Sequence, residues 1–369
     1  MADRSSARLQ GVDAARGLAL LGMVAVHVLP GQDGDGSSSL TDQLASGRSA
    51  ATFAVLAGVG LALAGPARWG VRRRIALLLR ATLIGAVGLA LGALDSGVAV
   101  ILAYYAVLFV LVQPFLSWCP RRLLPLAAGI ALLVPVLSQQ VRDALPARNP
   151  ANPDVDRFAD LSSLLPDLLV TGYYPALAWT AYLLVGLAIG RLTLGRTRTA
   201  LRVAAAGAAL LIGSAAASRL LLGPLGGRAE LAEVTAGEPL ELDSEFFGNV
   251  PTDSPWWLAI DAPHSTTPLD LAGTTGAGLL VLGLALLVAT RAAVLLAPLA
   301  AAGSMPLSLY TAHVVLLGRT DTTDPLRYYL LQVAVALVAA LAWRRWVGRG
   351  PLEAALARLT RVVVGPRAA

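Results

Sequence analysis

Three imidazoles, His27, His264 and His313, are the histidine complement of a 369-residue chain. With an ordinary pKa near 6.5, an imidazole is largely unprotonated at neutral pH and can take a proton from a hydroxyl or amine as it attacks a carbonyl. His27 closes the first apolar run, next to a loop holding Asp33 and Asp35, and is the preferred proton acceptor. His313, in Ser308-Leu309-Tyr310-Thr311-Ala312-His313, fits either a helix–helix hydrogen bond or catalysis. His264 fits either a surface loop residue or a third catalytic candidate. Asp13 and Arg16 are three apart and so share a helix face. Lipid penalises such charges unless they turn into the bundle or meet water. Tyr173, Tyr174, Trp179 and Tyr182 fit an interfacial belt, with Tyr173 and Tyr174 also candidates for substrate contact. The one cysteine, Cys119, excludes an internal disulfide, and three scattered histidines argue against a structural metal. No P-loop, HExxH, CxxC or GxSxG occurs.

The elements that carry these residues are apolar. The chain is 56% hydrophobic and 14% charged, with a mean hydropathy of +0.67. A water-soluble domain carries roughly 25% charged residues, so lipid must solvate much of this one. The pattern predicts an all-α polytopic transmembrane bundle of about ten spans, folded as a single domain over 1–369. Apolar runs lie near 12–30, 49–65, 74–94, 97–118, 122–138, 166–190, 199–222, 271–290, 293–317 and 326–346. Each approaches the roughly 20 residues a helix needs to cross a bilayer. The first run reads as a retained span, because Asp13 and Arg16 stand at its start and no convincing cleavage site follows. Pro175 should kink or break the sixth. Gly58 and Gly60, with Ala54 and Ala57, read as small-residue helix packing. Two long loops, 139–165 and 223–270, are expected outside, the second holding Trp256 and Trp257.

The net charge of +6 invites a nucleic-acid reading, which fails once the charges are placed between spans. All 29 basic residues are arginine. Alternation of the ten spans puts about 21 of these 29 arginines, but about 3 of the 23 acids, on one side. Arg4, Arg8, Arg68, Arg72, Arg73, Arg74, Arg121, Arg122, Arg191, Arg196, Arg198, Arg291, Arg344, Arg345 and Arg349 lie there. Asp33, Asp35, Asp42, Asp95, Asp154, Asp156, Asp160 and the acids from Glu230 to Glu245 fall opposite. The positive-inside rule makes the arginine side, with both termini, cytoplasmic, and puts the three histidines toward the exterior.

The segment Arg8-Leu9-Gln10-Gly11-Val12-Asp13-Ala14-Ala15-Arg16-Gly17-Leu18-Ala19, running on to Gly22-Met23-Val24-Ala25-Val26-His27, carries a resemblance. It resembles the opening of a bacterial membrane-protein family related to heparan-α-glucosaminide N-acetyltransferase, and acyltransferase family 3 opens in a similar way. Gly47-Arg48 through Phe53 to Gly58 is similar to the second span of the same group. Gly303-Ser304-Met305-Pro306-Leu307-Ser308-Leu309-Tyr310 and Gly350-Pro351-Leu352-Glu353 look like two further shared blocks.

The resemblance implies a multi-pass cell-membrane acyltransferase. Its donor would be acetyl-CoA or another acyl-CoA from the cytoplasm, and its acceptor an extracytoplasmic sugar, glycan or lipid headgroup. A histidine within the membrane would act as general base or transient acyl carrier. His27 is the best match, with His313 and His264 as alternatives. The sugar acetyltransferase carries its histidine shortly beyond this point, whereas positions 28–46 here contain none, so the role falls to one of these three or the activity is lost. Donor or acceptor contacts would come from Asp13, Arg16, Arg48, Tyr173, Tyr174 and Tyr310. The rim of Arg68, Arg72, Arg73, Arg74, Arg121 and Arg122 suits the phosphates of a CoA, though topology alone demands the same arginines. The partners implied are the bilayer, the acyl-CoA and the acceptor, with no metal and no nucleic acid. A small-molecule carrier and a non-catalytic membrane protein of the same fold are the rival readings; paired broken helices would favour the carrier.

Overall fold

The computed structural model describes residues 2–365 except 35, 66–68, 95, 237–239, 241, 243–245 and 320–322, with backbone alone for 2–8. Asp35, Arg68, Asp95, Glu238, Glu241, Asp243 and Glu245, and the side chains of Arg4 and Arg8, therefore lie outside the described residues.

The described chain is all-helical, and its bounds follow the apolar runs. The helices are α1 (Ala2–Val28), α2 (Leu40–Ala45), α3 (Arg48–Ala64), α4 (Val71–Gly92), α5 (Leu102–Leu111), α6 (Pro120–Val141), α7 (Leu161–Pro166) and α8 (Ala176–Gly190). They continue with α9 (Thr197–Leu222), α10 (Gly227–Val234), α11 (Pro268–Ala289), α12 (Ala297–Gly303), α13 (Pro306–Leu317), α14 (Pro325–Trp346) and α15 (Pro351–Val364). Proline opens α6, α11, α13, α14 and α15, where its missing N–H has no intrahelical acceptor to lose. The N-cap residue's own side chain caps two of these starts: Thr267 Oγ1 accepts from Asp270 N at 3.1 Å, and Asp324 Oδ1 from Arg327 N at 3.0 Å.

Among the described residues, seven helices are long and apolar enough to cross a bilayer, and two bent pairs raise the number to nine. Pro175 breaks the sixth run as expected, with a 47° bend between Leu161–Thr171 and Ala176–Gly190. The run 293–317 is broken too, by 64°, where Gly303 ends α12 and Pro306 begins α13. The run 97–118 contains the ten-residue α5 and a 3₁₀ turn at Gln113–Phe115, too short to cross unaided.

Helices α1, α3, α8, α11 and α12 form the centre. Backbones touch where glycine removes a side chain. A Cβ on Gly58 would stand 2.2 Å from the Leu183 carbonyl oxygen, and one on Gly303 would stand 1.8 Å from that of Asp13. These contacts lock α3 to α8 and α12 to α1. At the periphery, α14 turns Leu330, Leu331, Val335 and Val338 outward, a face that only lipid solvates well.

The two long loops fold onto each other. Gln139 Nε2 donates to the carbonyls of Pro251 and Ser254 at 3.1 and 2.7 Å, and Arg148 Nη1 to that of Phe247 at 2.9 Å. Thr252 Oγ1 donates to Asp143 Oδ1 at 2.7 Å. Beneath these bonds Leu222, Leu231, Val250, Trp257, Ile260 and Ala262 build a small core of their own. The result is a cap over the end of the bundle that holds His27.

Candidate active site

One stripe of α1 carries the site. Asp13, Arg16 and His27 recur at near-helical spacing, and Arg16 and His27 are eleven positions apart, about 16 Å along the axis. The residues between them on that stripe, Leu20 and Met23, are buried.

At the far end of the stripe three elements bring the histidines together. His27 ends α1, His313 comes from α13, and His264 comes from the strap between the cap and α11. His27 Nδ1 lies 3.0 Å from His313 Nε2, and the ring planes are 6° apart. His313 is buried, 4% exposed, and its Nδ1 stands 2.8 Å from Oε1 of Gln332 on α14. His27 and His264 both line a small cavity with Met23, Gly47, Tyr174 and Tyr310. They also line a larger one of ≈ 170 Å³ with Val98, Tyr173, Tyr174 and Phe247. The larger space reaches the cap, where Arg148 stacks over the rings of Tyr173 and Phe247 at 4.9 and 5.6 Å.

The strap is held close by an unusual backbone. His264 and Thr266 take left-handed φ of +54°, a region that is uncommon for residues with a Cβ. Gly47, itself at φ +65°, lies against it: a Cβ there would meet His264 N at 3.2 Å. The His264 carbonyl accepts from Gly248 N at 2.7 Å, and its ring packs edge-to-face on Tyr174.

Three of the four aromatic residues face inward and form no belt, while Tyr173 is half-buried beside the cap. Tyr174, Trp179 and Tyr182 are buried and stack edge-to-face in series. Tyr182 shares a hydrogen bond with Thr274 at 2.7 Å, Tyr174 donates to the Ala99 carbonyl at 3.2 Å, and Tyr173 to that of Pro150 at 2.6 Å. Tyr310 accepts from Ile101 N at 3.4 Å.

The other candidates sit elsewhere. Arg16 pairs with Asp13 at 3.1 Å, each side chain about one-fifth exposed, and donates to the Leu56 carbonyl at 3.2 Å. Gly60 leaves the room this needs, since a Cβ there would lie 2.5 Å from Arg16 Nη2. Arg344, which donates to the Ala300 carbonyl at 3.0 Å, adds positive charge beside Asp13. Arg48 donates to the Gln43 carbonyl and lines a separate cavity with Asp261 and Asp270. It is not one of the side chains lining the two histidine cavities. Among the described residues no group of three acidic, histidine or cysteine side chains is placed to hold a metal ion.

Two features escaped the sequence reading. Gln332 is one amide in an apolar helix, and such a residue signals an inward-facing partner without naming it. Glu353 on α15 reaches the start of α13, accepting from Leu307 N at 2.8 Å, Ser308 N at 3.2 Å and Ser308 Oγ at 2.5 Å. The two late sequence blocks, 303–310 and 350–353, are thereby one structural unit beneath Tyr310 and His313.

No curated protein matches the chain. Residues 8–219 match the catalytic domain described as heparan-alpha-glucosaminide N-acetyltransferase, a stretch that takes in His27, Asp13, Arg16, Arg48, Tyr173 and Tyr174. That stretch is more than half of the 369 residues, and the chain belongs to the heparan-alpha-glucosaminide N-acetyltransferase catalytic family.

Proposed function

We propose that the chain is a membrane acetyltransferase in which His27 is the general base. The donor in this reading is acetyl-CoA from the cytoplasm, as for the family. The acceptor is the amine or hydroxyl of an extracytoplasmic sugar, glycan or lipid headgroup, reaching His27 through the cavity beside Tyr173, Phe247 and His264. The observation that carries the reading is the convergence of three histidines, 286 residues apart at the extremes: His27 and His264 line one cavity, and His313 stands against His27.

The chemistry balances on this arrangement. The acceptor nitrogen or oxygen attacks the thioester carbonyl, and its proton passes to His27 as the new bond forms. The carbon–sulfur bond then breaks, and the CoA thiolate leaves with that proton as the thiol. His264 and Tyr174 face the same space and orient the acceptor. Asp13, Arg16 and Arg344 organise the opposite end of the α1 stripe, where the donor would arrive. The ten-pass arrangement with both termini cytoplasmic belongs to the same proposal; it needs the short run 97–118 to count as a span. The location would be the cell membrane.

The test is acetyl transfer from radiolabelled acetyl-CoA to glucosamine and to a panel of aminosugars and glycans in proteoliposomes. His27→Ala should lower the rate about 10²–10⁴-fold. Equal transfer by wild type and His27→Ala rules the base assignment out. One observation favours the carrier reading instead: two spans are broken, at 47° and 64°. Acceptor uptake by proteoliposomes without acetyl-CoA would decide for a carrier.

A further inference from the structure

We infer that Gln332 is the positioning residue that makes His27 Nε2 the basic nitrogen, through His313. An amide oxygen only accepts hydrogen bonds, so Oε1 of Gln332, 2.8 Å away, requires a proton on His313 Nδ1. A neutral imidazole carries one ring proton, and His313 Nε2 is then a lone pair. That lone pair, 3.0 Å from His27 Nδ1, requires the ring proton of His27 to be on Nδ1. His27 Nε2 is left bare, on the one ring of the pair that lines both cavities.

The relay has a direction, and Gln332 sets it. When Nε2 takes a proton, the His27 cation keeps its Nδ1–H on His313 and shares charge with a ring already braced by the amide dipole. Were the amide reversed, its N–H₂ would donate to His313 Nδ1. Both tautomers would then switch, and His27 would carry its ring proton on Nε2, leaving no basic nitrogen free of His313. In the observed orientation the Nε2 of Gln332 is buried and makes no hydrogen bond among the described residues, so the amide acts on His313 through its oxygen alone. The outward face of α14 is apolar, and an amide there is uncomfortable unless it points inward.

The inference rests on the reading of His27 as base, but ring tautomers exist without turnover and are read separately. ¹⁵N-histidine protein in nanodiscs gives three imidazoles, each assignable by a single substitution. The expected spectrum has neutral His27 and His313 protonated on Nδ1. Gln332→Glu keeps an acceptor and removes the orphan amide, so it keeps both tautomers. Gln332→Leu removes the acceptor and releases them. Carbethoxylation by diethyl pyrocarbonate, mapped by mass spectrometry, should slow at His27 in Gln332→Leu and persist in Gln332→Glu. Acetyl transfer should fall roughly 10–100-fold in Gln332→Leu, by analogy with the hydrogen-bond partners that orient metal-bound histidines. His27 protonated on Nε2 in the wild type overturns the inference, as do unchanged tautomers and carbethoxylation in Gln332→Leu. Correct tautomers without acetyl transfer leave the inference standing and sink the acetyltransferase reading instead.

Discussion

Removing the Glu353 carboxylate should loosen the helix that carries His313. The carboxylate accepts two backbone N–H groups and one hydroxyl at the start of α13, at 2.8, 3.2 and 2.5 Å. The N–H groups of the first helical turn have no acceptor within the helix, and a negative charge there also opposes the positive end of its dipole. Three bonds at about 1 kcal/mol each give a loss of about 3 kcal/mol for Glu353→Ala, part of which water recovers at this half-buried site. On the scale of soluble proteins, the 369 residues imply an unfolding entropy near 0.8 kcal/mol/K, so the midpoint should fall roughly 4 °C. Glu353→Gln keeps one acceptor oxygen and should lose about half as much. Tryptophan fluorescence in detergent reads both variants, and the His313 imidazole signal reports whether α13 has shifted. A Glu353→Ala midpoint within a degree of wild type, with an unmoved His313 signal, would refute the claim that α15 holds α13 in place.

Four shorter predictions follow from other contacts. Arg157→Ala leaves Asp167 buried without its 2.5 Å partner and should cost about 3–5 kcal/mol, much of it recovered by adding Asp167→Asn; a purely additive double mutant would contradict the pairing. Gly303→Ala puts a methyl on the Asp13 carbonyl and should abolish folded protein, while Gly129→Ala, whose Cβ meets open space, should express normally. Gly60→Ala should displace Arg16 from the Leu56 carbonyl, so donor binding should weaken as in Arg16→Ala; donor affinity unchanged in both would make the Asp13–Arg16 pair a bystander. In a Cys119→Ala background, Ala147→Cys in the first long loop should react with an impermeant maleimide on intact cells; labelling only after lysis would reverse the proposed topology.

Much of the fold was legible because hydropathy and proline act locally. The long apolar runs became helices, since a backbone in lipid has to satisfy its own hydrogen bonds. Pro175 bent the chain at its own position for a local reason. Pro306 was as visible in the sequence, yet its run read as one span because hydropathy does not drop there. The run 97–118 differs from its helix for another reason. Its apolar residues continue through a 3₁₀ turn and extended segments packed in the protein, so apolarity there reports burial and not helix length.

The candidate site divides along the same line. Residue chemistry alone nominated His27, His264 and His313, because an imidazole is one of few side chains that exchange protons near neutrality, and there are three of them. Their meeting was decided by tertiary structure: which helices neighbour α1 is settled by glycine contacts such as Gly303 on Asp13 and Gly17 on Leu299, and these leave no periodic mark between distant segments. The partners Gln332 and Glu353, and the inward turn of Tyr174, Trp179 and Tyr182, depend on that same packing. Sequence by itself determined a helical membrane protein with scarce, chemically suited bases. Only the packed bundle decided which base faces a cavity and which one stands behind it, because hydrogen bonding between two side chains requires ångström-scale proximity that linear spacing 286 residues apart does not encode.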